Sequence, residues 1–196
     1  MTSNMPAVPL TLEGASVLHQ MMRVKWAAWR ALPAESQSEM IAEAAAFLGD
    51  GTQSAPFAML GHKADLMLVH FRRSFDELAQ TQLGLSRLAI ADYLETTNSY
   101  LSMVELGLYE STGKTYKELA DKGVTVHSEE WGKGIEEVLQ RQRTAMASRL
   151  YPDIPTSKYV CFYPMDRRRG EAKNWYSEPL PDRARMMGEH GMVGRR

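Results

Sequence analysis

Apolar and polar positions follow two different periods along the first 110 residues of the chain. Residues 15–24 are rich in apolar side chains with some alternation, which favours a β-strand. Apolar residues then recur at helical spacing over 40–48, and Gly49 and Gly51 follow where such a helix can end. The pattern therefore predicts a strand and then a helix.

A β-hairpin, a second helix and a last strand are predicted next. The apolar runs 57–60 and 66–71 flank a short turn that contains glycine. Ser74 is a candidate N-cap, and Glu77 stands three residues later, as in a capping box. Apolar character returns over 98–109. The resulting β-α-β-β-α-β order predicts a ferredoxin-like α+β fold, in which two helices cover one face of an antiparallel sheet.

The remainder of the chain predicts a helical connector and the beginning of a second unit. Residues 111–157 are mostly polar and include a long helix that starts near Ser128. The segment "KYVCFYPM" predicts a strand over 158–165. The segment "PLPDRARMMGEHG" predicts a helix with proline in its first turn and an end just before Gly191.

These elements predict three parts in the chain. We expect an N-terminal ferredoxin-like half over 1–110, the helical connector over 111–157 and the start of a C-terminal half over 158–196. Because one strand and one helix make up less than a ferredoxin-like half, we expect the rest of that half to lie outside this chain.

Composition limits the function classes. The 196 residues are 44% hydrophobic and carry a net charge of −1, so no overall positive field favours nucleic acid. Cys161 is the one cysteine, which excludes an internal disulfide and suits a reducing compartment; its apolar neighbours predict burial. The N-terminus lacks the pattern of a secretion signal, and no apolar stretch is long enough to span a bilayer. We expect a cytoplasmic protein.

Two residues near the end of the chain carry candidate chemistry. His190, at a predicted helix end beside two methionines, is a candidate axial ligand for haem iron. It is also explained by the favourable placement of a positive charge at a helix C-terminus. Tyr163 ends the predicted strand, where it is either a redox or acid/base group or an aromatic residue whose hydroxyl has a partner.

Arginines supply candidate anion contacts. The run "DRRRG" at 166–170 includes Arg167 and can bind carboxylates or phosphates in bidentate fashion, or form a solvated loop. Arg149 suits the C-terminal end of a helix and can also hold an anionic ligand. Trp175 is explained by packing as well as by a cofactor contact.

Several segments carry a family resemblance. "RLYPDIP", "YVCFYPMDRRRGEAKNWY" and "MMGEHGMVGR" occur in order over about 149–195, and "VKWAAWRALP", "GHKADLMLVHFRRSFDELAQTQ" and "ADYLETTNSYLSMVELGLY" precede them. Together they resemble the coproheme decarboxylases of the chlorite dismutase-like haem protein family. The resemblance implies two ferredoxin-like halves, a homopentamer, and conversion of iron-coproporphyrin III to haem b by hydrogen peroxide.

The resemblance also implies residue roles. His190 corresponds to the iron ligand, and Tyr163 to the tyrosine that takes hydrogen from a propionate side chain. Four further positions match residues of the family's pocket: Arg149 and Tyr109 contact propionates, and Met165 and Trp175 line the pocket. Where the family often has a lysine, four residues after the reactive tyrosine, this chain has Arg167, which we expect to bind a propionate. The distal glutamine and arginine of the family correspond to positions beyond Arg196.

Other functions fit the same sequence. One is a haem-binding or carrier protein that does not turn over its ligand. A second is a chlorite dismutase-like enzyme or general peroxidase, and a third is an assembly domain without a cofactor. The "YPMDRRRG" segment that contains Tyr163 favours the decarboxylase.

Overall fold

The first part of the chain alternates strands and helices in the predicted order. The computed structural model describes residues 6–49 and 53–193. Helix α2 ends at Gly49 as predicted, whereas Gly51 lies outside the described residues. A 3-10 helix over Ala89–Tyr93 precedes the last strand. The elements are β1 (Thr11–Val24), α1 (Trp26–Arg30), α2 (Ala34–Gly49), β2 (Ser54–Ala58), β3 (Leu66–Arg72), α3 (Phe75–Ser86) and β4 (Leu94–Gly107).

The strands form one four-stranded sheet with the order β2-β3-β1-β4. Strand β3 runs antiparallel to both β1 and β2, and its His70 lies opposite Leu18 on one side and Ser54 on the other. This strand order and the βαββαβ succession are those of a ferredoxin-like half. The predicted α+β fold class is confirmed.

Helices α2 and α3 pack on the same face of this sheet. Met22 of β1, Leu68 of β3, Leu48 of α2 and Leu85 of α3 form one buried cluster. Full burial of each such side chain contributes roughly 1.5–3 kcal/mol. The two helices also approach closely at Gly84, where an added Cβ would lie 2.7 Å from the Phe47 ring. The apolar spacing of the sequence thus sets which helix face is buried.

Helix α3 begins at a side-chain cap. The Ser74 Oγ accepts a hydrogen bond of 3.2 Å from the Glu77 N–H, so the predicted N-cap is confirmed. The Glu77 carboxylate accepts from the Arg73 N–H at 3.0 Å. It therefore satisfies the donor one residue before the cap, and not the Ser74 N–H that a capping box uses.

The following part is helical, as the connector prediction states. Ser128 caps α5 by accepting from the Trp131 N–H at 3.1 Å, which confirms the predicted start. Tyr116 and Leu119 pack with Trp131 in a second buried cluster. None of the helices in the described ranges is long and apolar enough to cross a membrane. The helices are α4 (Tyr109–Asp121), α5 (Glu129–Ala145), α6 (Ala147–Leu150) and α7 (Leu180–Val193), with a 3-10 helix over Trp175–Ser177.

The chain divides into two units by its contacts. The sheet unit comprises Glu13–Val104 and Tyr151–Ser157, and the helical unit comprises Met1–Leu12, Glu105–Leu150 and Lys158–Arg196, as far as these are described. Each unit has its own buried cluster. The division at 110 and 157 that the sequence suggests stays a prediction.

Three local predictions are wrong. Residues 158–165 form no strand. A strand needs a partner for its backbone N–H and C=O groups, and no other strand of the described residues pairs with this segment. Cys161 is exposed and not buried as predicted. Helix α7 continues through Gly191 to Val193, since glycine only disfavours a helix interior by about 1 kcal/mol and does not stop it.

Candidate functional site

The start of α4 is held by hydrogen bonds to the N-terminal segment, one in each direction. The Leu108 N–H donates to the Leu10 carbonyl at 2.7 Å, and the Leu10 N–H donates to the Thr112 Oγ1 at 2.9 Å. Thr112 is fully buried and its hydroxyl donates to the Leu108 carbonyl at 2.6 Å. These bonds hold Tyr109, the first residue of α4, in a buried position.

Tyr109 is one of three predicted site residues that the structure brings together. Its ring meets the Trp175 ring edge to face, with centroids 6.3 Å apart and planes at 78°. The Arg167 guanidinium lies 5.6 Å from the centroid of the same Trp175 ring. We call these residues the Tyr109–Trp175–Arg167 cluster. It combines a buried tyrosine ring and a half-buried tryptophan ring with an exposed positive charge within the helical unit.

A short turn places Trp175 against the arginine run. Arg169 forms an isolated antiparallel bridge with Asn174, and the Trp175 N–H donates to the Arg168 carbonyl at 2.9 Å. The Asn174 side chain then accepts from the Tyr176 N–H at 3.0 Å and begins the 3-10 helix. The arginines and aromatic residues are therefore neighbours because the chain reverses direction between them.

Tyr176 is a further candidate residue, which the sequence pattern did not predict. The Arg169 guanidinium lies 4.2 Å from its ring centroid. A hydrogen bond from Arg169, with a smaller contribution from Arg167, holds the pKa of the Tyr176 hydroxyl below its usual value. The signal available in the sequence was that "NWY" follows "DRRRG" after only three residues. Tyr176 and Arg169 extend the cluster with a further hydroxyl and a further cation.

Helix α7 carries the candidate iron ligand. It packs against α4, and the Nη2 of its buried Arg183 donates to the Ala7 carbonyl. His190 lies in the last turn of α7 with an exposed side chain. Its imidazole is therefore accessible at the negative end of a helix that is anchored near its start.

The other predicted site residues lie outside the cluster. Tyr163 is 63% exposed and Met165 is 77% exposed, both on the irregular segment that follows residue 150. Arg149 is exposed in α6, where its Nη1 lies 4.0 Å from the Met146 sulfur. Within the described ranges, no group of three or more His, Cys, Asp or Glu side chains could hold a metal ion.

The described residues combine a ferredoxin-like sheet with a helical unit that contains the Tyr109–Trp175–Arg167 cluster. The chain is therefore an α+β protein with a candidate site outside its sheet unit. The family model described as chlorite dismutase matches residues 33–196. The chain belongs to the chlorite dismutase family.

Three relatives illustrate this membership. The chain is 33% identical over 199 residues to a protein named coproheme decarboxylase from Staphylococcus saprophyticus, which covers 97% of this chain and 71% of that protein. It is 38% identical to a protein of Halobacterium salinarum named "Putative heme-binding protein", again over 97% of this chain. A solved structure of a novel heme-binding protein from Thermus thermophilus superposes with a TM-score of 0.75 at 32% identity, covering 97% of this chain and 70% of that one.

The chain is much shorter than some relatives. It spans 37% of the Halobacterium salinarum protein, and 30% and 34% of similar proteins from Natronomonas pharaonis and Haloquadratum walsbyi. The matched region is therefore one part of those longer proteins.

Proposed function

We propose that this chain binds an iron porphyrin that bears carboxylate side chains and takes part in the peroxide-dependent decarboxylation of iron-coproporphyrin III to haem b. The observation that carries the proposal is the Tyr109–Trp175–Arg167 cluster. A flat apolar ring with anionic substituents needs aromatic walls and cationic donors, because a carboxylate is costly to bury unless it is paired. The 33% identity to a coproheme decarboxylase supports the choice of ligand.

The donor set fits such a ligand. The imidazole of His190 is accessible and would supply a nitrogen ligand to the iron of a porphyrin, which brings its own four nitrogen ligands. Arg167 and Arg149 are exposed guanidinium groups that can each bind a carboxylate. The half-buried Trp175, whose ring packs on the buried Tyr109, provides aromatic surface, and Met165 provides an adaptable apolar side chain.

Each residue has a distinct task in the proposed reaction. His190 would hold the iron through an imidazole nitrogen. Arg149, Arg167 and Tyr109 hold propionates, so that one reacting side chain is kept near Tyr163. The Tyr163 hydroxyl would lose a hydrogen atom, which ends in the water formed from peroxide, and its oxygen would regain one from the propionate carbon. The iron porphyrin, when bound, supplies the means to reduce peroxide.

The overall chemistry balances with peroxide as the oxidant. Each propionic acid side chain loses carbon dioxide and two hydrogens to become a vinyl group, and one hydrogen peroxide is reduced to two waters. The C–C bond to the carboxyl group breaks, and its electron pair contributes to the new double bond. The protein orients the side chain and excludes competing reactions.

Mass spectrometry of the porphyrin tests this proposal. The purified chain is mixed with ferric coproporphyrin III and a small excess of peroxide. Stepwise loss of carbon dioxide and two hydrogens from two propionates is expected. Tyr163→Phe should retain the Soret band and abolish the loss. Tyr159→Phe, at another exposed tyrosine of the same segment, is the matched control and should react normally. Normal turnover by Tyr163→Phe would contradict the assigned role.

A haem-binding function without turnover is the second candidate. It is favoured by the exposed position of Tyr163, outside the cluster that would hold the ligand. In the same assay it gives a saturable Soret change at an unchanged porphyrin mass. Assembly into a homopentamer belongs to the first proposal and is tested by light scattering coupled to size-exclusion chromatography.

A further inference from the structure

The sheet unit contains a cavity that the proposed porphyrin site does not use. It has a volume of about 360 Å³ and lies between α1, the first half of α2, the β2–β3 turn and the 3-10 helix before β4. This volume is within the lower range of cavities that bind small molecules. All of its lining residues belong to the sheet unit.

Aromatic side chains form much of the wall. The Trp29 and Tyr93 rings stand at 73° with centroids 5.6 Å apart, so they present two nearly perpendicular surfaces. Trp26, at the start of α1, is the third aromatic residue and remains 47% exposed. Ile41 of α2 is also exposed at the cavity. Exposed side chains of this size beside an apolar cavity are typical of a binding surface.

Asp65 supplies a negative charge in this apolar wall. It is the one charged side chain among the described residues that line the cavity. Its Oδ2 accepts from the Val24 N–H at 2.8 Å, and its Oδ1 accepts from the Trp26 Nε1–H at 3.1 Å. The Val24 bond and then the Trp26 bond hold the pKa of Asp65 below its usual value. Each carboxylate oxygen keeps a lone pair for a further donor.

The nearby arginine leaves this carboxylate available. Arg23 acts on Asp65 only through a minor electrostatic effect. Its guanidinium instead donates to the Lys63 carbonyl at 3.3 Å and lies 3.9 Å from the Glu95 carboxylate. The Asp65 hydrogen bonds also fix the Trp26 ring beside the carboxylate, so the charge and the aromatic surface are held together.

We propose that this cavity binds a small organic cation with an alkylated ammonium group. Aromatic faces attract such a cation through their quadrupoles, and a carboxylate in the wall adds a direct charge attraction. A neutral apolar molecule would cover the Asp65 carboxylate without pairing it, which is unfavourable. A metal ion would gain little from indole rings, because hard cations prefer several oxygen ligands.

Isothermal titration of the full chain without porphyrin tests the proposal. The probes are choline and 3,3-dimethylbutan-1-ol, which has the same shape but carries no charge. Choline should bind saturably and at least about tenfold more tightly than the neutral alcohol, a difference of about 1.4 kcal/mol. Equal or tighter binding of the alcohol would overturn the proposal, as would the absence of saturable choline binding at millimolar concentrations.

Single-residue variants test whether choline binds in this cavity. Asp65→Asn and Trp26→Ala should each weaken choline binding about tenfold, with the fold checked by circular dichroism. Phe75→Ala, at an aromatic residue of the sheet unit that is 46% exposed and does not line the cavity, is the matched control and should bind choline unchanged. If Asp65→Asn does not fold, Trp26→Ala carries the test alone, because its side chain is about half exposed. Unchanged choline binding by Trp26→Ala would overturn the assignment, while the porphyrin proposal would stand.

Discussion

His70 is expected to make the free energy of unfolding sensitive to mild acid. Its side chain on β3 is 0% exposed, and its Nδ1 lies 2.8 Å from the Ser54 Oγ. The Arg72 Nη2 donates to the same Ser54 oxygen at 2.8 Å. Burial, followed by repulsion from Arg72 and His19, lowers the pKa of His70 from 6.5 to about 4. The folded chain therefore resists protonation at this position.

The direction and the size of the change in the free energy of unfolding follow from proton binding to His70 in the folded and unfolded chains. Between about pH 6.5 and pH 4 the unfolded chain binds a proton at His70 and the folded chain does not. The stabilisation is fully present above pH 6.5 and is lost as the pH falls through this window. At about 1.36 kcal/mol per pKa unit, the loss amounts to roughly 3 kcal/mol. Burial also lowers the pKa of His19, which adds to the loss in the same direction.

Urea denaturation at a series of pH values measures this effect. Far-UV circular dichroism gives the free energy of unfolding at each pH between 7 and 4. The glutamine in His70→Gln cannot be protonated. The free energy of unfolding of this variant should therefore decrease less steeply as the pH is lowered, even if it is smaller at every pH. Leu83→Ala, at an exposed residue of the same unit, leaves every titratable group in place and should keep the original slope. Equal slopes for His70→Gln and the unmodified chain would refute the reasoning.

Three further predictions concern the cap, the core and the cluster. Ser74→Ala removes the acceptor for the Glu77 N–H and should lower stability by about 1 kcal/mol in urea denaturation. Leu150→Ala, at a side chain that is 0% exposed, should cost about 2–5 kcal/mol in the same assay, whereas Leu83→Ala on the surface should cost far less. Arg167→Gln should weaken binding of ferric coproporphyrin III about tenfold in a Soret titration, and Arg167→Lys should restore most of it, whereas equal affinities would contradict a charge contact.

The sequence predicted the sheet unit well because its signals are local. The apolar runs, the hairpin turn and the Ser74 cap each depend on neighbours within a few residues, and the strand order follows from the βαββαβ succession. The same signals failed over 158–165. The β-branched and aromatic residues there favour a strand, but the backbone of a strand also needs a partner from elsewhere in the chain.

The sequence indicated which residues could form the candidate site, but it did not indicate how they are arranged in space. The resemblance identified Tyr109, Trp175 and Arg167, which the structure brings into contact. The proximity of Arg167 to Trp175 depends on the chain reversal at Arg169 and Asn174, which no periodicity indicated. Tyr176 was missed for the same reason, since only that reversal brings it beside Arg169.

The irregular segment over 158–168 has a thermodynamic consequence for any ligand that it helps to hold. Fixing the backbone of one residue costs roughly 1–2 kcal/mol, so each residue around Tyr163 that a ligand had to order on binding would offset that much contact energy. A second strand that paired with this segment would order it in advance. Ligand affinity and strand pairing would then be reciprocally linked, with each raising the equilibrium constant of the other by the same factor.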